Sequence, residues 1–215
     1  MNASNDFHPS LTSGRVWRHE LTSMKNPSDT VRGYVTDMMG AHRHVLEAVT
    51  RHAEDPSLAK VPGAQATIAR IVSVLDSQHR LLEARAQQLG GAGAMGGIKE
   101  AVTSVTGFLT GLYGQVRGET ASRMLRDDYT GLNFLLVCAT MLHTTSTALG
   151  DAETTSVCST IVRGLPPLLM DLQELVPRAV VRDLAEDHPG LDTIADAKTI
   201  PEVKAAWRGV SHAGV

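Results

Sequence analysis

The chain contains 215 residues, 42% of them hydrophobic, which is enough to bury one core of ordinary domain size. Its 20 lysine and arginine residues against 23 aspartate and glutamate residues give a formal charge of -3, and the lack of a basic stripe argues against nucleic acid as a partner. Aromatic residues make up only 4%, which favours packed helices over a β-sheet and predicts an all-α fold.

The first 28 residues are rich in serine, asparagine, threonine and proline and lack apolar periodicity, so we expect a flexible arm over 1–28. They also lack a basic segment followed by an apolar run, which argues against a secretory signal and makes the cytoplasm the expected location. The two cysteines, Cys138 and Cys158, lie within apolar helical patterns rather than at the spacing of a redox or metal pair. They are expected to be free, buried thiols.

Two helices are predicted in the first half of the chain. The first lies between the start signal Pro27-Ser28-Asp29 and the stop signal Asp55-Pro56, and the second runs from Gly63 to Leu89, before Gly90-Gly91. Because the linker between them is short, they should be antiparallel neighbours. The first helix carries apolar side chains every three or four residues, at Val31, Tyr34, Val35, Met38, Val45 and Val49.

Two more helices are predicted in the second half. The third runs from Ser122 to the stop at Gly150, and its stretch 132–142 is apolar almost all round. That stretch is much shorter than the roughly 20 residues that cross a bilayer, so it predicts a central packed position and no stable membrane insertion. The fourth helix starts near Ala152, and Pro166-Pro167 predicts a kink in it.

The predicted domain organisation is the arm, a helical domain over 29–187, and a mostly polar tail over 188–215. The tail contains a candidate short helix from Pro201 to Arg208, because proline is favoured at the first position of a helix. We expect Trp207 to dock this tail.

The long connection between helices two and three, residues 91–121, is the main topological signal. A simple antiparallel hairpin needs only a few residues, whereas a connection of this length lets helix three run parallel to helix two. Its stretch 98–116 has a continuous apolar stripe, which predicts a helical crossover. Three interpretations stay open for that stripe: it covers the domain's own core, docks against another subunit, or makes peripheral contact with a membrane.

Four residues are candidate metal ligands: His42, Asp76, His79 and His143. Asp76 and His79 are three residues apart on helix two, and residues at this spacing share a helix face, so one carboxylate and one imidazole could reach the same ion. Imidazole and carboxylate ligands suit iron, manganese or zinc. The competing interpretation is that the three histidines are partly buried and hydrogen-bonded to nearby groups, with no cofactor.

No motif in the sequence favours an enzyme. There is no phosphate-binding glycine loop between a strand and a helix, no nucleophile elbow and no cysteine beside a plausible base. A carboxylate pair in the middle of the predicted helices is also missing, and without it a site lacks the negative charge that holds two iron ions.

The chain resembles the ferritin-like superfamily, and within it the YciE-type bacterial stress-associated proteins. The similar stretches are YVTDMMGAHRHVLEAV at 34–49, the Asp76-x-x-His79 turn running to LGG at 89–91, LRDDYTGLNFLLVCATMLHTTSTALGD at 125–151, and VPRAVVRDLA at 176–185. The resemblance implies an antiparallel four-helix bundle, often dimeric, with a di-metal site formed by inward carboxylates and histidines.

Carried onto this sequence, the resemblance gives an incomplete ligand set. His42 stands where a glutamate is expected, and Asp76 with His79 matches the Glu-x-x-His pair with a shorter acid. Leu135 or a neighbouring residue falls where helix three should supply a glutamate, and the stretch 164–167 replaces the ligand turn of helix four.

The sequence therefore predicts an all-α, ferritin-like antiparallel four-helix bundle with a long helical crossover between helices two and three. The expected function is that of a non-catalytic binding or assembly protein with a degenerate metal site and an association with stress. It should form a homo-oligomer through helical faces, including that of 98–116. The alternative is a metal-binding ferritin-like stress protein with a reduced ligand set.

Overall fold

The computed structural model describes residues 26–90, 120–191 and 194–210. Within these ranges the chain forms helices and no strand, which confirms the all-α prediction. Among the same residues, no helix combines the length and the apolar character needed to cross a membrane. The helices are α1 (Pro27–Ala53), α2 (Pro56–Ala59), α3 (Ala64–Gln88), α4 (Ala121–Ala148), α5 (Ala152–Asp187) and α6 (Ala195–Val210).

Local sequence signals explain where the helices begin and end. The Asn26 side chain accepts a hydrogen bond from the Ser28 amide, and Pro27 takes the first helical position of α1. The Asp151 side chain accepts from the Thr154 amide at 2.9 Å and begins α5. Between α4 and α5, Gly150 adopts a φ of 75°, a left-handed conformation that glycine adopts without steric cost.

The four long helices contact one another in a closed ring: α1 packs on α3 and α4, and α5 packs on the same two helices. Their directions follow from contacts between helix ends. His52, near the end of α1, contacts Asp128, near the start of α4, and Arg85, near the end of α3, contacts Asp151 at the start of α5. Each helix is therefore antiparallel to its neighbours in the ring, while α3 and α4 run in the same direction at opposite corners.

The interior of the ring is formed by aliphatic side chains from all four long helices. Each fully buried leucine, isoleucine or valine stabilises the fold by roughly 1.5 to 3 kcal/mol relative to an exposed one. Cys158 is buried within this core as a free thiol, as predicted, and Cys138 is free and half-buried. The fully buried aliphatic residues include Val35, Val45, Ile68, Ile71, Leu75, Leu82, Leu132, Leu135, Ile161, Leu165 and Leu172.

Four prolines of the C-terminal half, Pro166, Pro167, Pro177 and Pro201, lie inside helices rather than at their ends. Helix α5 continues through Pro166 and Pro167, whose side chains are exposed, so the backbone bonds they cannot make are on the outer side. Helix α6 begins at Ala195, so the predicted start at Pro201 was wrong. Asp196 gives α6 an acidic first turn, which the helix dipole favours, and the helix then passes through the proline.

The tail packs against the helical ring through α6. Lys204 forms an ion pair with Glu174 of α5 at 2.7 Å. Trp207 on the same helix remains 46% exposed. Most of the predicted arm (1–25) and of the predicted crossover (91–119) lies outside the described residues.

Candidate functional site

The middle of the helical ring contains a polar layer, here called the histidine layer, made of His42 on α1 and Gln78 and His79 on α3. The Nε2 of His42 donates a hydrogen bond to the Gln78 Oε1 at 3.3 Å, and the two imidazole rings stack with centroids 5.6 Å apart. His42 is fully buried, Gln78 is 3% exposed, and the His79 side chain is 14% exposed. The antiparallel packing of α1 and α3 brings these residues together.

His42 is neutral at physiological pH. Burial disfavours the charged imidazolium and is the main reason that its pKa falls to about 4. The hydrogen bond with Gln78 raises the pKa and partly opposes this effect, whereas the nearby His79 lowers it further. Because Nε2 carries the proton donated to Gln78, the Nδ1 of the neutral ring is left as an unprotonated acceptor.

Gln78 reaches the interior because α5 carries a glycine beside it. A methyl group at Gly164 would lie only 2.7 Å from the Gln78 Nε2. Gln78 is not among the residues predicted for the site, because glutamine is not a usual metal ligand or core residue. The signal was present, however: Gln78 lies three residues after Leu75 and four before Leu82, both fully buried on the same stripe.

The other predicted ligands have different partners. The Asp76 carboxylate is 46% exposed and forms an ion pair with Arg80 at 2.5 Å. His143 is hydrogen-bonded through Nε2 to the Ser159 hydroxyl at 3.1 Å, at the contact between α4 and α5. Of the four candidates, the structure thus brings His42 and His79 together.

The described residues do not fit the di-metal centre that the ferritin-like resemblance implies. In the part of the chain that the structure describes, no three histidine, cysteine, aspartate or glutamate residues are grouped so that they could hold one ion. The histidine layer contributes two imidazoles and an amide, and it supplies no bridging carboxylate. The reduced metal site with His42, Asp76, His79 and His143 stays a prediction. Among its residues, His42 and His79 each have a buried Nδ1 without a hydrogen-bond partner.

A second buried polar pair connects the end of α1 to the start of α4. The His52 Nδ1 donates to the Asp128 Oδ1 at 2.7 Å, and the two side chains are 7% and 0% exposed. Asp128 could be recognised in the sequence as a polar residue on the apolar stripe, because it lies between Leu125 and Leu132. A short, buried contact of this kind joins the two helices more strongly than an exposed pair would.

A small cleft lies where α6 crosses α4 and α5. Its volume of about 270 Å³ is slightly below the range of roughly 300 to 1,000 Å³ of most small-molecule sites. Burial raises the pKa of the Tyr129 phenol, which therefore stays protonated and able to donate. The cleft is lined by Arg126, Tyr129, Thr130, Gln173, Val176, Pro177 and Val203.

Comparison of the chain with protein-family models, curated proteins and solved structures gives no match.

Proposed function

We propose that this protein is a ferritin-like four-helix bundle in which the histidine layer replaces the di-metal centre, and that it acts as a non-catalytic binding or assembly protein. The ring of four long helices supports this proposal, as does the common direction of α3 and α4. The chain between α3 and α4 has to connect opposite ends of the ring, which is the arrangement expected of this superfamily.

The observation that carries the proposal is the chemistry of the histidine layer. His42 lies near the middle of α1, where ferritin-like proteins place an inward carboxylate, and it is bonded instead to an amide. On α5, the residue next to Gln78 is Gly164, which has no side chain that could act as a ligand. The buried His42 and Gln78 are uncharged and hydrogen-bonded to each other, so this pair can align the helices but lacks the negative charge for two metal ions.

The alternative is a metal-binding, stress-associated protein with a reduced ligand set. It is supported by the buried, unpartnered Nδ1 atoms of His42 and His79, because a neutral imidazole nitrogen is a good ligand for zinc, iron or manganese. Two such nitrogens would need further ligands from water or from another chain to complete a coordination sphere.

Elemental analysis of tag-free protein, together with its native mass, tests the two candidates. The proposal expects far less than one metal ion per chain in an oligomeric protein. Close to one or two iron, manganese or zinc ions per chain would contradict it. The variant His79→Ala should then lose the metal, whereas His143→Ala, at the α4–α5 contact, serves as the matched control and should retain it.

A further inference from the structure

The cleft where α6 crosses α4 and α5, here called the α6 cleft, combines aliphatic surface with hydrogen-bonding groups. Val176 and Pro177 of α5 and Val203 of α6 supply the aliphatic surface. Tyr129 of α4 and Gln173 of α5 supply polar groups, and both residues are half-buried. A site of this composition can hold a molecule that has an apolar body and a few polar atoms.

Pro177 leaves a backbone hydrogen-bond acceptor beside the α6 cleft. A proline has no amide hydrogen, so inside a helix it cannot bond the carbonyl four residues earlier, and its ring pushes that carbonyl aside. For Pro177 this is the carbonyl of Gln173, and both residues line the cleft. Pro166 and Pro167 of the same helix are exposed and do not line it. The Gln173 carbonyl can therefore accept a hydrogen bond from a molecule in the cleft.

Two side chains of the α6 cleft have hydrogen-bonding capacity to spare. The Thr130 hydroxyl donates to the Arg126 carbonyl within α4 at 2.9 Å. By contrast, no residue in the described ranges forms a hydrogen bond with the Tyr129 hydroxyl or with the Gln173 side-chain amide. Burial raises the pKa of the Tyr129 phenol, so this hydroxyl is a donor at neutral pH. The cleft thus offers a ligand one donor on α4 and a backbone acceptor on α5.

The charges around the α6 cleft are already paired within the chain. Among the described residues that line it, Arg126 carries a charge, and its guanidinium donates to the neighbouring Asp127 carboxylate at 2.7 Å. Lys204, next to Val203 of α6, is paired with Glu174 of α5, also at 2.7 Å. An anionic ligand would have to compete with Asp127 for the guanidinium, and a cationic ligand would be repelled by it. The surroundings therefore favour a neutral ligand.

We propose that the α6 cleft binds a small neutral molecule that carries an amide group on an aliphatic body. The amide N–H donates to the Gln173 carbonyl, and the amide oxygen accepts from the Tyr129 hydroxyl. The aliphatic body lies against Val176, Pro177 and Val203. The volume of about 270 Å³ restricts the ligand to molecules smaller than most cofactors. This site is separate from the histidine layer, so the inference goes beyond the proposed function.

An amide suits these two groups better than a carboxylate does, because their hydrogen-bonding roles are opposite. A backbone carbonyl only accepts, whereas the protonated phenol of Tyr129 donates. An amide has a donor and an acceptor on adjacent atoms and no charge. A carboxylate has no hydrogen to donate at neutral pH, and its negative charge is unfavourable beside the Gln173 carbonyl oxygen. A neutral amide and the carboxylate of the same length therefore make a discriminating pair of probes.

Titration of the tag-free, full-length chain with valeramide, followed by two-dimensional amide NMR, tests the proposal. We expect saturable shifts at residues around the α6 cleft, with a dissociation constant on the order of 1 mM for so small a ligand. Valerate, which has the same aliphatic body and a carboxylate, should bind about 5- to 10-fold more weakly. Tyr129→Phe, which removes only the hydroxyl, should weaken valeramide binding by a similar factor.

Pro177→Ala isolates the contribution of the backbone carbonyl. The variant restores an amide that can bond the Gln173 carbonyl within α5, so it should be at least as stable as the wild type and yet bind valeramide about 5- to 10-fold more weakly. Slow hydrogen exchange of the introduced amide would confirm that it is bonded. Pro166→Ala is the matched control, because it makes the same change in the same helix outside the cleft, and it should bind valeramide as the wild type does.

Three results would overturn the inference: no saturable binding of valeramide, binding of valerate as tight as that of valeramide, or unchanged binding by Pro177→Ala with a bonded amide. None of these results bears on the histidine layer, so a metal-free protein that does not bind valeramide leaves the proposed function standing. Stoichiometric metal in a protein that binds valeramide has the opposite meaning, because the proposed function then fails while the cleft holds its ligand.

Discussion

Gln78 on α3 fills the space that Gly164 on α5 leaves open, and a methyl group at Gly164 would lie 2.7 Å from its amide nitrogen. The same amide accepts a hydrogen bond from the buried His42. The Gln78 side chain of α3 therefore contacts both α1, through His42, and α5, at Gly164. Its position depends on the absence of a side chain at Gly164. This dependence makes the glycine testable by substitution.

Substituting Gly164→Ala should cost stability, although alanine is the better helix former. The Gln78 amide would have to move, which breaks its bond to His42 and costs about 1 to 3 kcal/mol, against a gain of about 1 kcal/mol in helix propensity. Urea unfolding followed by circular dichroism measures the balance. Gly33→Ala on α1 is the matched control and should be stabilising, because an added methyl there meets nothing within 4 Å.

The same contact can be isolated in a double variant. In the background of Gln78→Ala, the substitution Gly164→Ala no longer meets an amide and should become neutral or stabilising. If Gly164→Ala were equally destabilising with and without Gln78, the glycine would be needed for another reason.

Acidification should destabilise the protein through His42. Its folded pKa of about 4 lies below the ordinary value of 6.5, so the unfolded chain binds the proton more readily. Stability from this group is fully present above pH 6.5 and is lost as the pH falls toward 4, by on the order of 3 kcal/mol. Urea midpoints measured between pH 4 and 7.5 should fall less steeply for His42→Gln, and equal slopes would contradict the assignment.

The end of α3 is held to the start of α5 by Arg85. Its guanidinium donates to both Asp151 carboxylate oxygens at 2.8 and 2.7 Å and to the Thr154 hydroxyl at 2.7 Å, and the residue is 8% exposed. Burial would raise the pKa of Asp151, but hydrogen bonds from the Thr154 amide and from Arg85 outweigh this and hold the pKa below its ordinary value. Because the pKa of Asp151 is lower in the folded chain than its ordinary value of 3.8, the pair stabilises the fold at pH values above 3.8. This stabilisation is lost as the pH falls through the folded pKa.

Removal of this guanidinium should be strongly destabilising. Arg85→Ala leaves the partly buried Asp151 without its cation, and we expect a loss of about 3 kcal/mol in the free energy of unfolding. Arg85→Lys should recover only part of the loss, because a single ammonium cannot replace the three guanidinium nitrogens that bond Asp151, Thr154 and Glu153. Arg80→Ala, which removes an exposed pair with Asp76, is the control and should change stability by less than about 1 kcal/mol.

The His52–Asp128 pair should show direct coupling in a double-mutant cycle. We expect His52→Ala and Asp128→Asn to destabilise the protein individually and to be less than additive together, with a coupling energy of about 1 to 3 kcal/mol. Thermal unfolding of the four proteins at pH 7 gives the cycle. Additive effects would show that the 2.7 Å contact contributes little to stability.

The helices could be predicted from the sequence because their signals are local. Apolar spacing and capping residues predicted α1 between the proline signals at 27 and 56, and α3 from Gly63 to Leu89, each within two residues of the observed bounds. The exception is α6, for which the sequence predicts a start at Pro201, whereas the helix contains that proline internally. Proline marks a helix start only by frequency, and this helix begins upstream of it at Ala195, with Asp196 in its first turn.

Tertiary packing decided which polar side chains are buried between the helices. The spacing of Asp76 and His79 placed both on neighbouring positions of α3, but the rotation of that helix against α1 and α5 turned Gln78 inward and left Asp76 with Arg80 at the surface. Likewise, His52 and Asp128 are 76 residues apart in sequence, and no local pattern relates them. Helical periodicity determines which face of a segment is buried. The partners on that face depend on how the neighbouring helices are aligned, and here Gly164 and the buried amide of Gln78 are part of that alignment.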